Sequence, residues 1–435
     1  MSHTHIVRLG THAEKEYLLR AYAWFDEVAL NANLVEGTAS ALSVFVTELR
    51  DKGKAYFIDP VTYAFALSPD YLRKASVSTT GRQSLKRTFS GLAGRYGPVV
   101  ERCAGRIRLE PSHLASESDQ AEFCDGVLRY QSEKLNEALL ASDYFLMMEE
   151  SAEPLIPSRL LAPYFHLSGD LEWLETNVSL ARQALLQQPD CWVVVCIDSV
   201  LLDSKEAVDA IASHYAELRV PGFLVWATDF EEERATEGQI SGLKSLIIRL
   251  ASGGTKQVIN MFGGYFSLLL SEFGLTGVSH GLGYGERRDI VPVLGGGLPP
   301  AKYYLPAIHE HIRIDQLVSI ATQPQLDASL FAHNICDCVI CTGLLRQGLD
   351  FLITQYSATE TRIVNGRYRE VATPQVYRLT RFHYLSNKNR EFHTVELTDL
   401  ETLLGHLDDA YQKFRGELGS SSLTYLITWR RALSS

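Results

Sequence analysis

Three of the seven cysteines fall within six residues, at Cys336, Cys338 and Cys341 of the segment HNICDCVICTG. Thiolates are good zinc ligands, and a structural site wants four thiolates or a mixture with imidazole. The C-x-C-x2-C spacing supplies three ligands from one tight loop, so a fourth must come from elsewhere. The other cysteines, Cys103, Cys124, Cys191 and Cys196, are scattered far upstream and read as buried or inert. A downstream histidine is the economical choice, and His383 and His393 both qualify. His383 sits in RLTRFHYLSNKNREF, which is predicted to form a helix packing back onto the loop. A closed Cys3His site leaves no position for water, so the Zn2+ expected here is structural rather than catalytic.

The elements that would place other reactive groups follow from apolar patterning. Short runs rich in Val, Ile, Tyr and Phe read as strands at 30–35, 55–60, 192–199, 222–230, 256–264, 277–285 and 302–310. One more is plausible in LLAPYFHLS at 160–168, which gives about eight. Helical patterns such as EGQISGLKSLIIRLA lie between them. Near-continuous apolar strands alternating with helices imply a parallel sheet covered on both faces. The recurrence favours a TIM-type (β/α)8 barrel over an open doubly wound sheet. In such a barrel the polar residues at strand C-terminal ends line the active site. That rule selects Asp59, Asp198, Asp229 and the stretch Gly281 to Glu286. Each has a plainer use: Asp59 precedes Pro60 and suits a turn, Asp198 suits a helix cap, and the glycines suit a tight turn. His309, His311 and His333 read as interior histidines.

Residues 66–150 break the rhythm and read as a largely helical insertion. The barrel is expected over 1–330, followed by a zinc-binding α/β subdomain over 331–435 that ends in the helix DLETLLGHLDDAYQKFRGEL. With 46% hydrophobic and 21% charged residues the chain has the composition of a soluble globular protein. No apolar run is long enough to span a bilayer and the first residues do not resemble a secretory leader, so a cytoplasmic location is expected. The net charge of −11 does not announce a nucleic-acid partner, but its distribution is uneven. Between Tyr71 and Val100 the charged residues are Arg73, Lys74, Arg82, Lys86, Arg87 and Arg95. A second basic stretch, Arg362 to Arg390, holds Arg367, Arg369, Arg378, Arg381 and Lys388. Two basic zones on an acidic body can steer a polyanion to one face, or be solvated loops.

Taken together, a C-x-C-x2-C cluster with a later histidine on a TIM barrel resembles the tRNA-guanine transglycosylase superfamily. GLGYGE (281–286) is similar to that family's base-reading glycine loop, FIDPVTYAF (57–65) to its segment bearing an acid/base aspartate, and VVCIDS to its purine-contacting strand. The resemblance spans roughly residues 27 to 395. It implies an acid/base role for Asp59, a purine contact for Asp198, and binding of a 7-deazaguanine base by Gly281, Leu282, Gly283, Tyr284, Gly285 and Glu286. It also implies zinc at Cys336, Cys338, Cys341 and His383, and exchange of guanine for a preQ0-like base in a nucleic acid. The departures are specific. Forty-one residues separate Cys341 from His383, more than the family uses, and a basic hairpin around SATETRIVNGRYREVATP is predicted to account for the excess. The Ser-Gly-Gly expected after Asp59 is Pro60-Val61-Thr62. The family's nucleophile segment is not recognisable, leaving Asp198, Asp315 and Asp327 as candidates, with His333 nearby. These departures resemble the divergent bacterial branch that modifies DNA, so DNA is favoured over tRNA as partner. A homodimer or partner proteins stay open, as does a different class of function: a silent barrel that binds nucleic acid or a protein without exchange.

Overall fold

The computed structural model describes residues 3–77, 83–142, 153–252, 256–282, 285–291, 300–364 and 367–434. Its centre is a curled seven-stranded parallel sheet. In chain order the strands are β1 (Thr4–Leu9), β2 (Glu27–Asn31), β3 (Ala55–Asp59), β6 (Val193–Asp198), β7 (Gly222–Thr228), β8 (Gln257–Asn260) and β9 (Gly277–Gly281). Two short strands in the insertion, β4 (Arg73–Val77) and β5 (Gln83–Leu85), pair separately. The spatial order is β3-β2-β1-β9-β8-β7-β6, with every pairing in the sheet parallel. Strands buried on both faces explain the apolar runs: all seven residues of β7 are buried, as are Val193 to Ile197 of β6.

The sheet's two edges are bridged by one irregular segment. Ser158 donates its N–H to the Tyr56 carbonyl on β3 at 2.7 Å. Farther along, Leu161 and Leu167 make parallel bridges with Trp192 and Ile197 beside β6. Thr62, just after β3, donates its hydroxyl to the Tyr164 carbonyl at 2.6 Å. The 160–168 stretch, expected as an eighth strand, makes two isolated bridges and no strand, so the parallel sheet has seven strands among the described residues.

Two further strand assignments need correction. The stretch 302–310 is not part of the parallel sheet. It forms β10 (Lys302–Leu305), which pairs antiparallel with β11 (Glu310–Arg313). Pro306 and the left-handed His309 (φ +56°) turn the chain back after β10. In its place the sheet uses Thr4–Leu9, whose polar His5 and Arg8 concealed the strand. At 30–35 the strand lies earlier, at Glu27–Asn31, because Asn31 caps a helix that starts at Ala32.

Helices cover the sheet and start where short polar side chains cap them. Ser204 caps Lys205–Ala216, and Thr236 with Gln239 forms a capping box on Glu237–Ala251. Gly242 lets the second of these helices approach closely, since a Cβ there would sit 2.0 Å from the Leu202 carbonyl oxygen. The insertion is helical as expected, with Arg87–Tyr96, Pro98–Cys103 and the long Glu117–Leu140. In the tail, helix Pro374–Leu397 lies along the outside of β1 and β9, and Phe392 stacks on His5 at 4.1 Å. Beyond the expected terminal helix (Leu400–Leu418) a further one, Thr424–Ser434, returns to the sheet's helices. There Trp429 donates its indole N–H to the Glu232 carbonyl at 2.9 Å. Among the described residues, no helix is long and apolar enough to cross a membrane.

Candidate active site and metal cluster

The C-terminal ends of the parallel strands collect polar groups at one edge. Asp59 ends β3 in register with Asn31, Asp198 ends β6 opposite Thr228, and Gly281 ends β9 opposite Arg8. Asp59 is wholly enclosed. One oxygen accepts from the Tyr164 hydroxyl (2.7 Å) and the Val61 N–H (3.1 Å), and the other from the Arg8 guanidinium (3.3 Å). Arg8 is itself buried and lies over the Phe262 ring, 4.1 Å from its centroid. A buried pair of this kind is held by its partners; either charge alone would be strongly unfavourable. The Arg8 Nη1, the Tyr63 hydroxyl and the Ser279 hydroxyl are buried with no hydrogen-bond partner among the described residues. Orphaned buried donors each cost about 1–3 kcal/mol.

A second acidic group lies at the ends of β6 and β7. Asp198 caps the turn after β6, accepting the Val200 N–H at 3.0 Å. Asp229 follows β7 with a left-handed backbone (φ +57°). Burial, then a hydrogen bond with Asp289, pushes its carboxyl up to about 6, and Asp198 adds to the effect. The Asp229 carboxyl therefore takes up a proton more readily than an ordinary aspartate. His166 bonds the Thr228 hydroxyl at 2.9 Å; burial lowers its pKa while Asp198 pulls the other way. The Cys196 thiol, two residues before Asp198, is pushed well up by burial and feels Asp59, Arg288 and Asp198 together. These carboxylates and Arg288 thus act on one interior.

The glycine turn closes on itself. The Gly281 N–H donates to the Gly285 carbonyl at 3.1 Å, and a Cβ on Gly285 would fall 2.4 Å from the Gly281 Cα. Only glycine fits this back-to-back approach. Leu282 is buried beneath the turn, while Gly283 and Tyr284 lie outside the described residues. Glu286 turns toward the tail. Its carboxylate accepts from Lys388 (2.7 Å) and from the Tyr384 hydroxyl (2.8 Å). Lys388 also meets Glu391 (3.0 Å) and donates to the Tyr304 hydroxyl (2.8 Å). Although burial would raise its pKa, Lys388 and His309 hold Glu391 at about 2. His309 and His311 are thereby interior histidines, as expected; His309 bonds Glu391 at 2.7 Å and burial drops His311 to about 3. A cavity of about 400 Å³ opens beside Glu286, lined also by Glu231, Glu233, Lys302 and Glu310.

Cys336, Cys338, Cys341 and His383 are all buried, with their ligand atoms within 4.8 Å of one another. The His383 Nε2–H donates to the Tyr304 carbonyl at 2.7 Å, which leaves Nδ1 facing the sulfurs at 3.2 Å from Cys338 and 3.4 Å from Cys341. Fixing the ring through its second nitrogen is how metal-bound histidines are oriented. Hydrogen bonds from Cys336 and Cys341 pull the Cys338 thiol down to about 3, so it is ready as a thiolate. The donor set fits a buried, closed metal site. Of the two histidines weighed, His383 joins the cysteines; His393 is 66% exposed and points to Glu396 instead. The extra spacing before His383 is taken up by helix Leu349–Ser357 and a hairpin of β12 (Thr359–Val364) and β13 (Arg367–Ala372).

Other expected groups fall away from the strand ends. Asp315 is exposed and paired to Arg313 at 2.9 Å, and Asp327 caps helix Ala328–Asn334. His333 sits on that same helix and is exposed, not interior as expected. In the first basic zone Arg73 pairs with Asp70, Arg95 with Glu137, and Lys86 donates to the Tyr71 carbonyl; Arg82 lies outside the described residues. The contributors that sequence reading missed are Arg8, His166, Tyr164, Asp289 and the Lys388 network. An arginine inside the apolar run HIVRL is the one signal that pointed there. Comparison with protein-family models gives no match for this chain, and comparison with curated proteins gives none either.

Proposed function

We propose that the chain is a nucleic-acid guanine transglycosylase that exchanges guanine for a 7-deazaguanine, preQ0-like base, with DNA preferred to tRNA. In this reading segment 158–168 completes an eighth stave of a (β/α)8 barrel, and Zn2+ fills the Cys3His cluster as a structural ion. The observation that carries the proposal is that Asp59, Asp198 and Gly281 all stand at C-terminal ends of strands of a single parallel sheet, in which the Arg8, Tyr63 and Ser279 donors are left without partners among the described residues.

Exchange needs a carboxylate to attack C1′ while the C1′–N9 bond to guanine breaks and guanine takes up a proton. The incoming base then gives up its N9 proton and displaces the carboxylate, restoring the glycosidic bond. Of the three carboxylates weighed for the attack, Asp198 alone lies at the end of one of these strands, so it takes the covalent role. Asp59 is assigned to proton transfer, and Asp229, raised to about 6 by burial and its hydrogen bond with Asp289, serves as proton reserve. The nucleotide must leave its stack, at a cost of a few kcal/mol, before the sugar can reach these groups.

One observation favours a second reading, a barrel that binds without exchanging. Asp59 is enclosed, and both its oxygens are already partnered. The deciding experiment is release of labelled guanine from DNA and tRNA on addition of preQ0, with mass spectrometry of nucleosides from cells with and without the protein. Guanine release with appearance of a deazaguanine nucleoside supports exchange. Binding with no release from either nucleic acid refutes it.

A further inference from the structure

The β12–β13 hairpin is the most exposed regular element of the tail. Its cross-strand register pairs Arg362 with Arg369, Ile363 with Tyr368, and Val364 with Arg367. Side chains alternate across a ribbon, so Arg362, Arg367 and Arg369 share one face, while Ile363 and Tyr368 share the other. That second pair is 67% and 79% exposed. Like charges set directly opposite are unfavourable, yet here two guanidiniums face each other with a third beside them. Glu360 binds Arg362 on this face at 2.5 Å; Arg367 and Arg369 have no acidic partner among the described residues. A cationic face of this kind on a chain of net charge −11 is complementary to a polyanion.

Its position follows from the helix it leads into. Helix Pro374–Leu397 runs alongside β1 in the opposite direction. Near its start Arg381 lies over the Tyr17 ring at 4.9 Å, just beyond the C-terminal end of β1; near its end Glu396 accepts the His3 N–H at 2.6 Å. Tyr377, in the first turn, feels both Arg362 and Arg381. The hairpin therefore leads into the helix at the C-terminal end of the strands, the end at which Asp59 and Asp198 stand.

We propose that this hairpin is a DNA-gripping ribbon, with Arg362, Arg367 and Arg369 on backbone phosphates and the ribbon laid in the major groove of a duplex. The proposal rests on the base-exchange reading for the purpose of the grip, not for its chemistry. Six residues per strand give a ribbon of roughly 20 Å. A B-form major groove, about 12 Å wide, admits a two-stranded ribbon, whereas the major groove of A-form RNA is deep and narrow. The shape selects DNA.

The test is fluorescence anisotropy of the full chain with a short DNA duplex and with an RNA duplex of the same sequence, across a salt series. The triple variant Arg362→Gln/Arg367→Gln/Arg369→Gln should weaken DNA binding at least about tenfold near 0.1 M salt and lower the slope of log affinity against log salt by about 2–3. The triple Lys variant should keep most of both. Because these side chains are exposed, far-UV circular dichroism and bound metal should not change. Wild-type chain that binds no DNA, binds RNA as tightly, or is unaffected by the triple substitution overturns the proposal. Guanine release separates the two readings: arginine-dependent DNA binding without exchange leaves the ribbon standing and removes the transglycosylase. Exchange in DNA with an unchanged KM in the triple variant does the reverse.

Discussion

Replacing Lys388 by methionine removes the one cation between two buried carboxylates. The ammonium lies 2.7 Å from Glu286 and 3.0 Å from Glu391, and Lys388 is 1% exposed. Removing one member of a buried ionic set typically costs about 3–5 kcal/mol, because the partners stay buried without compensation. A separate route gives a similar figure. Holding Glu391 at about 2 instead of 4.5 is worth about 3 kcal/mol at neutral pH, of which His309 supplies a part. The pH dependence has a definite sign. With its pKa depressed by folding, Glu391 contributes stability that is present above 4.5 and is lost as pH falls through about 2. In Lys388→Met that contribution disappears and burial raises both carboxyls, so the variant regains stability as they protonate. Urea unfolding followed by circular dichroism should show a deficit of about 3–5 kcal/mol near pH 7.5, shrinking by about half or more near pH 5. Adding Glu286→Gln and Glu391→Gln should recover part of the loss. A deficit under about 1 kcal/mol, or one that ignores pH, would refute the reasoning.

Three further outcomes are expected. Cys338→Ser should drop bound metal from one equivalent to near zero by elemental analysis and expose helix Pro374–Leu397 to proteolysis; a variant that keeps its metal argues against the cluster. Asp289→Asn removes the neighbour that raises Asp229, so the Asp229 carboxyl should titrate below its present value of about 6 by carbon NMR. Since a raised carboxyl pKa means stability lost as pH rises through that value, the variant's stability profile should be flatter around pH 6; an unchanged titration would contradict the pairing. Arg8→Met should destabilise by about 3–5 kcal/mol by leaving Asp59 buried and unpaired, while Arg8→Met/Asp59→Asn recovers most of that. Additive losses in this cycle would show that the two do not interact.

The sequence carried the sheet where strands are buried on both faces, because apolar runs such as VVVCID have no alternation to confuse them. It failed where polar groups are paired inside. THIVRL was not among the expected strands, yet it is β1: His5 meets His280 at 2.7 Å and Arg8 meets Asp59, so both polar residues are compensated by partners far along the chain. KYYLPAIHE failed in the other direction: its apolar content is real, but it is buried against the tail helix rather than within the sheet. The cysteine cluster was legible because three ligands lie in one loop. His383 was settled only by a fold that brings residues 42 apart together. Lys388 was counted in a basic stretch that could steer a polyanion or be solvated, and nothing local distinguishes it from Arg390, which pairs with Asp337 at the surface.

The Cys3His cluster and the Glu286 carboxylate are joined by one helix face. His383, Tyr384, Asn387, Lys388 and Glu391 recur at helical spacing on the buried side of Pro374–Leu397. From His383 to Lys388 the helix advances only about 7.5 Å. Its first ligand fixes the helix to the Cys336–Cys341 loop, while Tyr384 and Lys388 grip Glu286, the residue that follows the Gly281–Gly285 turn. The Tyr304 carbonyl orients His383 and the Tyr304 hydroxyl accepts from Lys388, so β10 braces both sites at once. A metal held by these four residues would brace the helix without taking part in any chemistry itself. Without the ion those residues would hold the helix less firmly, and the helix grips Glu286 through Tyr384 and Lys388. It follows that metal removal should loosen the Gly281–Glu286 turn before it disturbs the sheet. Hydrogen exchange should therefore rise first at Tyr384 to Glu391 and at the turn, with Val193–Asp198 and Gly222–Thr228 protected throughout; simultaneous loss of protection in the strands would break the argument.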